Sequence, residues 1–279
     1  MAKIQAIRPS PIAGSWYPEE EKTLRAQVNG FINNAHLPEI SREVLGLIAP
    51  HAGYRYSGPT AGYSYRCVKG KSYDLVVVAS PLHEYLPYPF ITSAHDSYAT
   101  PLGTIPIDKE LLDQLNATFY EASGVELISI TNDREHSLEI QLPFLQCALA
   151  APFRLLPLMV REDHPDALQQ FAEALAKVVR GKKVLLVAST DLSHFFTLDQ
   201  ADILDEHMLA QIQAFSPEGV LRAESENTGF ACGAGAVAMI LWAAKALGAS
   251  HATILHHSTS ADSTHDRSQV VGYGAVALS

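Results

Sequence analysis

Three histidines in this chain share a local grammar, in which an apolar run ends, a turn-forming or small residue follows, and an imidazole comes a few residues later. They are His51 in Ala49-Pro50-His51-Ala52-Gly53-Tyr54, His83 in Ser80-Pro81-Leu82-His83, and His194 in Ser189-Thr190-Asp191-Leu192-Ser193-His194. Imidazole is the commonest protein ligand for metals and the usual general acid or base near neutral pH. A thiol joins them at Cys232, ahead of Gly233-Ala234-Gly235 at the expected start of a helix, where the dipole favours a thiolate. Two histidines and a thiolate make a sensible donor set for Fe(II), Cu or Zn, with one position left for water or substrate. Asp191, three residues before His194, could be a ligand, an orienting partner or a general base. A loop histidine is commonly no more than a solvated polar residue, and a cysteine at a helix start is commonly there for packing. The repetition of one context three times is what points to a shared site.

A second dense polar stretch runs from Asp133 to Phe144 and contains Glu135-His136-Ser137-Leu138-Glu139. Helical spacing puts His136 and Glu139 on one face, and Pro143 kinks that helix unless it opens a later one. The segment His256 to Asp266 reads as a polar loop able to cover the site, with its histidines in solvent and outside the donor set. Other chemistries lack their signatures, since there is no Gly-rich phosphate loop, no GxSxG and no HExxH.

Something has to carry these groups to one place. Val44 to Ile48, Leu75 to Ala79 and Val184 to Ala188 are short and apolar throughout, the pattern of buried strands. In an open α/β sheet, ligands bind beyond the carboxyl ends of the strands, which is where all three histidines fall. Phe153 to Met159, Ala252 to Leu255 and Val270 to Leu278 read as further strands, Arg8 to Tyr17 as extended, and Tyr85 to Pro106 as short strands or an edge ribbon. A helix follows Pro18 with a Leu24, Val28, Phe31 and Ile32 stripe. Others span Ser57 to Tyr65, Asp108 to Leu115, Pro165 to Val179, Gln200 to Phe215, Pro217 to Ala223 and Cys232 to Leu247. Strands alternating with helices predict an α/β fold with a mainly parallel sheet covered on both faces, and with no evident linker one domain over residues 1–279 is expected.

A net charge of −10 disfavours a nucleic-acid partner, which needs clustered lysine and arginine. No apolar run reaches membrane-spanning length and no secretory signal is evident. Together with only three scattered cysteines, this predicts a cytoplasmic protein with reduced thiols and no membrane partner.

At this point several motifs line up together. Arg8-Pro9, Ala13-Gly14-Ser15-Trp16-Tyr17-Pro18, Pro50-His51-Ala52-Gly53-Tyr54 with Tyr56-Ser57-Gly58-Pro59, Glu135-His136-Ser137-Leu138-Glu139, Ser189 to His194, and Val270-Val271-Gly272-Tyr273 resemble the Memo-like family. In prokaryotes this family is also called AmmeMemoRadiSam system protein B. The match covers almost the whole chain in the family's order. The resemblance implies a single α/β/α sandwich similar to class III extradiol dioxygenases. It also implies a copper or iron centre at the strand ends, on positions matched by His51, His83 and Cys232, with His194 and Asp191 lining the pocket. Tyr54, His136 and Glu139 from the same motifs are then expected to contact the bound molecule. One departure is that Ser80-Pro81-Leu82 precedes His83 where the family usually has Gly-Pro-Ser or Gly-Pro-Asn.

Two functions of different classes follow. One is a redox-type, dioxygenase-like metalloprotein acting on an unknown small molecule, with His194 as acid or base and zinc hydrolysis as a less favoured variant. The other is an interaction module that uses the pocket to bind a peptide or a radical-SAM partner.

Overall fold

The runs that are apolar at every position become the central strands, because a strand buried on both faces has no polar side to show. In the computed structural model, which describes residues 6–40 and 42–279, the chain begins with β1 (Ile7–Arg8), α1 (Glu21–Asn34), β2 (Gly46–Ala49), α2 (Tyr54–Arg66) and β3 (Leu75–Pro81). Three short strands, β4 (Phe90–Ser93), β5 (Ser97–Thr100) and β6 (Gly103–Pro106), lead into α3 (Lys109–Ser123) and β7 (Ile128–Ile130). A 3-10 turn (Glu139–Gln141) precedes α4 (Leu142–Ala148), β8 (Arg154–Val160), α5 (Pro165–Val179), β9 (Val184–Ser189) and β10 (His194–Phe196). The chain closes with α6 (Leu198–Gln213), α7 (Pro217–Ser225), α8 (Ala234–Ala246), β11 (Ala252–Thr259), α9 (Ala261–Thr264) and β12 (Val270–Leu278).

The main sheet has the order β10-β12-β2-β9-β3-β8-β4-β7, with β11 also paired to β12. Its centre, β2-β9-β3-β8, is parallel, while β12 runs antiparallel to β2 and β4 antiparallel to β8. A small sheet, β1-β5-β6, stands apart. This is the mixed α/β sandwich the alternation predicts. One layer is α2 against β12, β11 and β2, backed by α1 and α4; the other is α8 against β9, β3 and β2, flanked by α5 and α7. Helix α8 is apolar nearly all round because sheet and helices cover it, and no described helix is long and apolar enough to cross a membrane.

Parallel strands end on one edge of a sheet, and the spacing is regular there. His51 lies two residues beyond β2, His83 two beyond β3, and Asp191 two beyond β9. Three local readings change. Helix α2 starts one turn before Ser57, at Tyr54, because the Trp16 carbonyl accepts the Tyr54 N–H at 2.9 Å and so satisfies a donor that a helix start leaves free. The stretch from Asp133 to His136 is not helical, because the Glu135 carbonyl that a helix would use accepts from the Arg8 guanidinium at 2.9 Å. Pro143 instead opens α4. His256 and His257 are strand residues, since β11 pairs with β12 as far as Thr259, opposite Gly272. His256 stacks on Tyr63 and the His257 Nε2 lies 2.8 Å from Asp205 Oδ2, so neither is a free loop histidine.

Candidate metal centre

His51 follows Pro50 off the end of β2 and is 2% exposed. Its backbone N–H donates to Asp191 Oδ1 at 2.6 Å, which ties the β2 and β9 loops together. Its Nδ1 lies 3.1 Å from Ser189 Oγ. That hydroxyl has its own proton committed to the Ser137 carbonyl at 2.6 Å and accepts from Gln141 Nε2 at 2.7 Å. Nδ1 of His51 must therefore be the donor, and its Nε2 keeps a lone pair. Burial holds this ring well below the ordinary imidazole range, and the nearby His136 and His83 push the same way, so it is neutral.

His83 is fixed by one carboxylate. Glu135 accepts the His83 backbone N–H at 2.6 Å through Oε2 and its Nδ1 at 2.9 Å through Oε1, again leaving Nε2 free. Burial alone would raise the Glu135 pKa, but the His83 hydrogen bond and charge, with the Ser137 N–H, hold it well below the carboxylate range. Leu82 is buried, and its carbonyl accepts from Arg161 at 3.0 Å, so the orientation of His83 comes from Glu135 and Arg161 and does not need a polar residue at position 82. The third ring is His136. It lies between Trp16, at 4.1 Å between ring centroids, and His83, at 4.6 Å, and burial lowers its pKa to about 4. His51, His83 and His136 each offer a donor atom, and these atoms lie within 4.8 Å of one another, a group that could hold a metal ion.

Cys232 stands at the edge of this group, with Sγ 3.1 Å from His51 Nε2 and accepting the Asp191 N–H at 3.3 Å. Gly233 lets the start of α8 come this close, because a Cβ there would lie 2.5 Å from the Ser189 carbonyl.

The comparisons with known proteins bear on the whole of this arrangement. The family model described as Memo-like protein matches residues 8–277. The chain belongs to the Memo-like family. A MEMO1 family protein of Nitrosopumilus maritimus is 32% identical over 275 residues, covering 97% of this chain and 98% of that one. A second, from Methanopyrus kandleri, is 32% identical over 280 residues, with 96% and 98% covered, and one from Pyrobaculum aerophilum is 29% identical over 279.

In this Memo-like chain the residues singled out by sequence fall into two sets. His51, His83, His136, Cys232 and Asp191 converge, whereas Tyr54 and Glu139, expected to contact a bound molecule, lie behind the site. Tyr54 is 2% exposed and donates to the Ile140 carbonyl. Glu139, fully buried, accepts from Arg8, Ser10 and Tyr17 and so clasps β1 against the coil that presents Glu135 and His136. The thiolate expectation for Cys232 is also corrected. Helix α8 begins two residues later, and burial with the neighbouring Asp191 pushes the thiol pKa up. Asp191 itself is pushed up to about 7 by burial, against the pull of the His51 and Ala52 N–H donors. His194 donates through Nδ1 to the Leu192 carbonyl at 2.8 Å, and burial lowers its pKa. Sequence reasoning did not give His136 a ligand role or single out Ser189 and Glu135 as orienting groups. The available signal was the adjacency of a carboxylate and an imidazole at Glu135-His136.

Proposed function

We propose that the protein is a metal-dependent redox protein of dioxygenase-like type that holds iron or copper on His51 and His83, with His136 and Cys232 as further donors, and acts on a small molecule. The observation that carries this reading is the fixing of tautomers. Ser189 and Glu135 accept hydrogen bonds from Nδ1–H of His51 and His83, so the two Nε2 atoms face a cation beside a third imidazole. Imidazoles joined by a thiol suit iron, copper or zinc better than magnesium or calcium. When bound, iron or copper supplies a Lewis-acidic and redox-active centre for a coordinated molecule. Around it the chain's own groups handle protons. The Asp191 carboxyl, pushed up to about 7, can give or take a proton near neutrality, and His194 is a neutral base at the same rim. The free thiols Cys67, Cys147 and Cys232 suit a reducing, cytoplasmic setting.

The test is elemental analysis of protein purified without chelator. Near-stoichiometric iron or copper is expected in the wild type, with loss from a His51→Ala, His136→Ala double variant that still melts cooperatively. Full metal content in that variant, or zinc alone in the wild type, would sink the assignment.

A further inference from the structure

Strand β11 forms a long open edge of the main sheet. Among the described residues its eight positions pair with β12 alone, on one side. An antiparallel ladder engages the N–H and C=O of alternate residues, so the rest of this backbone points away from β12. The Thr259 N–H donates to Asp262 Oδ2 at 3.0 Å, which closes one end of the row. The strands that end the two sheets elsewhere are guarded against further pairing. β7 and β10 have three residues each and β1 two, while β6 carries Pro106. β11 is Ala252-Thr253-Ile254-Leu255-His256-His257-Ser258-Thr259, without lysine, arginine, carboxylate or proline. Its one irregularity, the register shift between Ile254 and His256, leaves regular strand on both sides.

Helix α2 lies along one face of this strand. Thr60 Oγ1 is 2.5 Å from Ser258 Oγ, and the Tyr63 ring stacks on His256 at 4.2 Å between centroids. Tyr56, Pro59 and Tyr63 come at i, i+3 and i+7; Tyr56 and Pro59 are exposed and Tyr63 half-buried, so an uncharged stripe borders the open edge. On the other face His257 is matched by Asp205. Charge selects the occupant. Each chain carries −10, so two copies repel except through surface without charge, and this strand and stripe are such a surface. A basic partner would gain nothing from it. Two identical strands paired antiparallel are related by a two-fold axis, which closes the assembly at two copies and sets stripe beside stripe.

We propose that a second copy of this chain docks on β11, the two strands joining antiparallel so that the main sheets of both copies run on as one. The proposal stands apart from the metal centre and from any activity. Sedimentation velocity on the full chain, over about 1–100 µM, should show a monomer–dimer equilibrium with a dissociation constant of about 10 µM or tighter. Thr253→Lys guards the edge with a charge, and Pro59→Lys puts one into the stripe at an exposed position. At least one of them should weaken the dimer about fivefold or more, while both melt cooperatively. Hydrogen exchange on the wild type supplies a second reading, in which amides within Thr253–Ser258 should exchange about tenfold more slowly at the high concentration than at the low one. A monomer throughout the range, an assembly larger than a dimer, a dimer that both lysine variants leave stronger than that, or β11 amides whose exchange ignores concentration would each overturn the proposal.

Discussion

Glu135 and Ser189 each accept a hydrogen bond from a histidine Nδ1–H, and through that bond they decide which nitrogen the ring offers. Glu135 also accepts two backbone N–H groups, from His83 and Ser137, so its charge holds both the ring and the loop under it. Glu135→Gln keeps the shape but removes the charge and one acceptor. Competition against a soluble chelator should show metal affinity falling about 10–100-fold, while an affinity within threefold of wild type would contradict the orienting role. On β11, His257 faces Asp205, with Asp202 and Asp262 near it. Burial alone would lower its pKa, but the Asp205 hydrogen bond and charge more than offset this and raise it. A raised folded-state value stabilises at acid pH. The contribution is complete below the unfolded value of about 6.5 and disappears as pH rises through the folded value. The melting-temperature gap between wild type and His257→Asn should therefore be wider at about pH 6 than at about pH 9, and an equal gap would remove the linkage. At this scale His51 and His83 were legible because strand ends announce them. His136 was expected only to contact the bound molecule, and its place among the donors was not legible, because that place depends on Arg8 and Trp16, more than a hundred residues away in sequence.

Elements bring these side chains within reach of one another, and close backbone approaches set the tolerances. The entry to α8 passes so near the end of β9 that Gly233 has no room for a methyl group, and Cys232 owes its position beside His51 to that approach. Gly233→Ala should destabilise by about 1–3 kcal/mol in chemical denaturation, the usual cost of overpacking. A neutral result would mean that the loop relaxes freely. Gly272 has the same part in β12, where a Cβ would collide with the Asp205 carboxylate. Helix α5 and strand β12 have the bounds their sequence patterns predict, since periodicity and Pro165 mark the helix and an unbroken apolar run marks the strand. Helix α3 runs past Leu115 to Ser123 because Phe119 prolongs its buried stripe. The coil at Asp133 was misread because its partner, Arg8, is more than a hundred residues away, and the strand at His256 because polar residues such as His256, His257 and Ser258 look like a loop although β12 pairs with them.

At the scale of the whole molecule, a mainly parallel sheet was legible from alternating apolar runs and helices. The order β12-β2-β9-β3-β8 was not, because strand neighbours are chosen by long-range packing. That order puts β9 between β2 and β3 and so sets His51, His83 and Asp191 on one edge. A ligand held by loops from three strands should stabilise the sheet as a unit. Metal at a hundred times its Kd should add about 2.7 kcal/mol, read as a rise of several degrees in melting temperature. The His51→Ala, His136→Ala variant should show no such rise, and a matching rise would place the binding elsewhere.

The most direct measurement is anomalous scattering at the iron, copper and zinc edges from one crystal of protein purified without chelator. The account requires a peak at the iron or copper edge within bonding distance of His51 and His83 ring nitrogens. Density that scatters only at the zinc edge, or no peak between those rings, would contradict it.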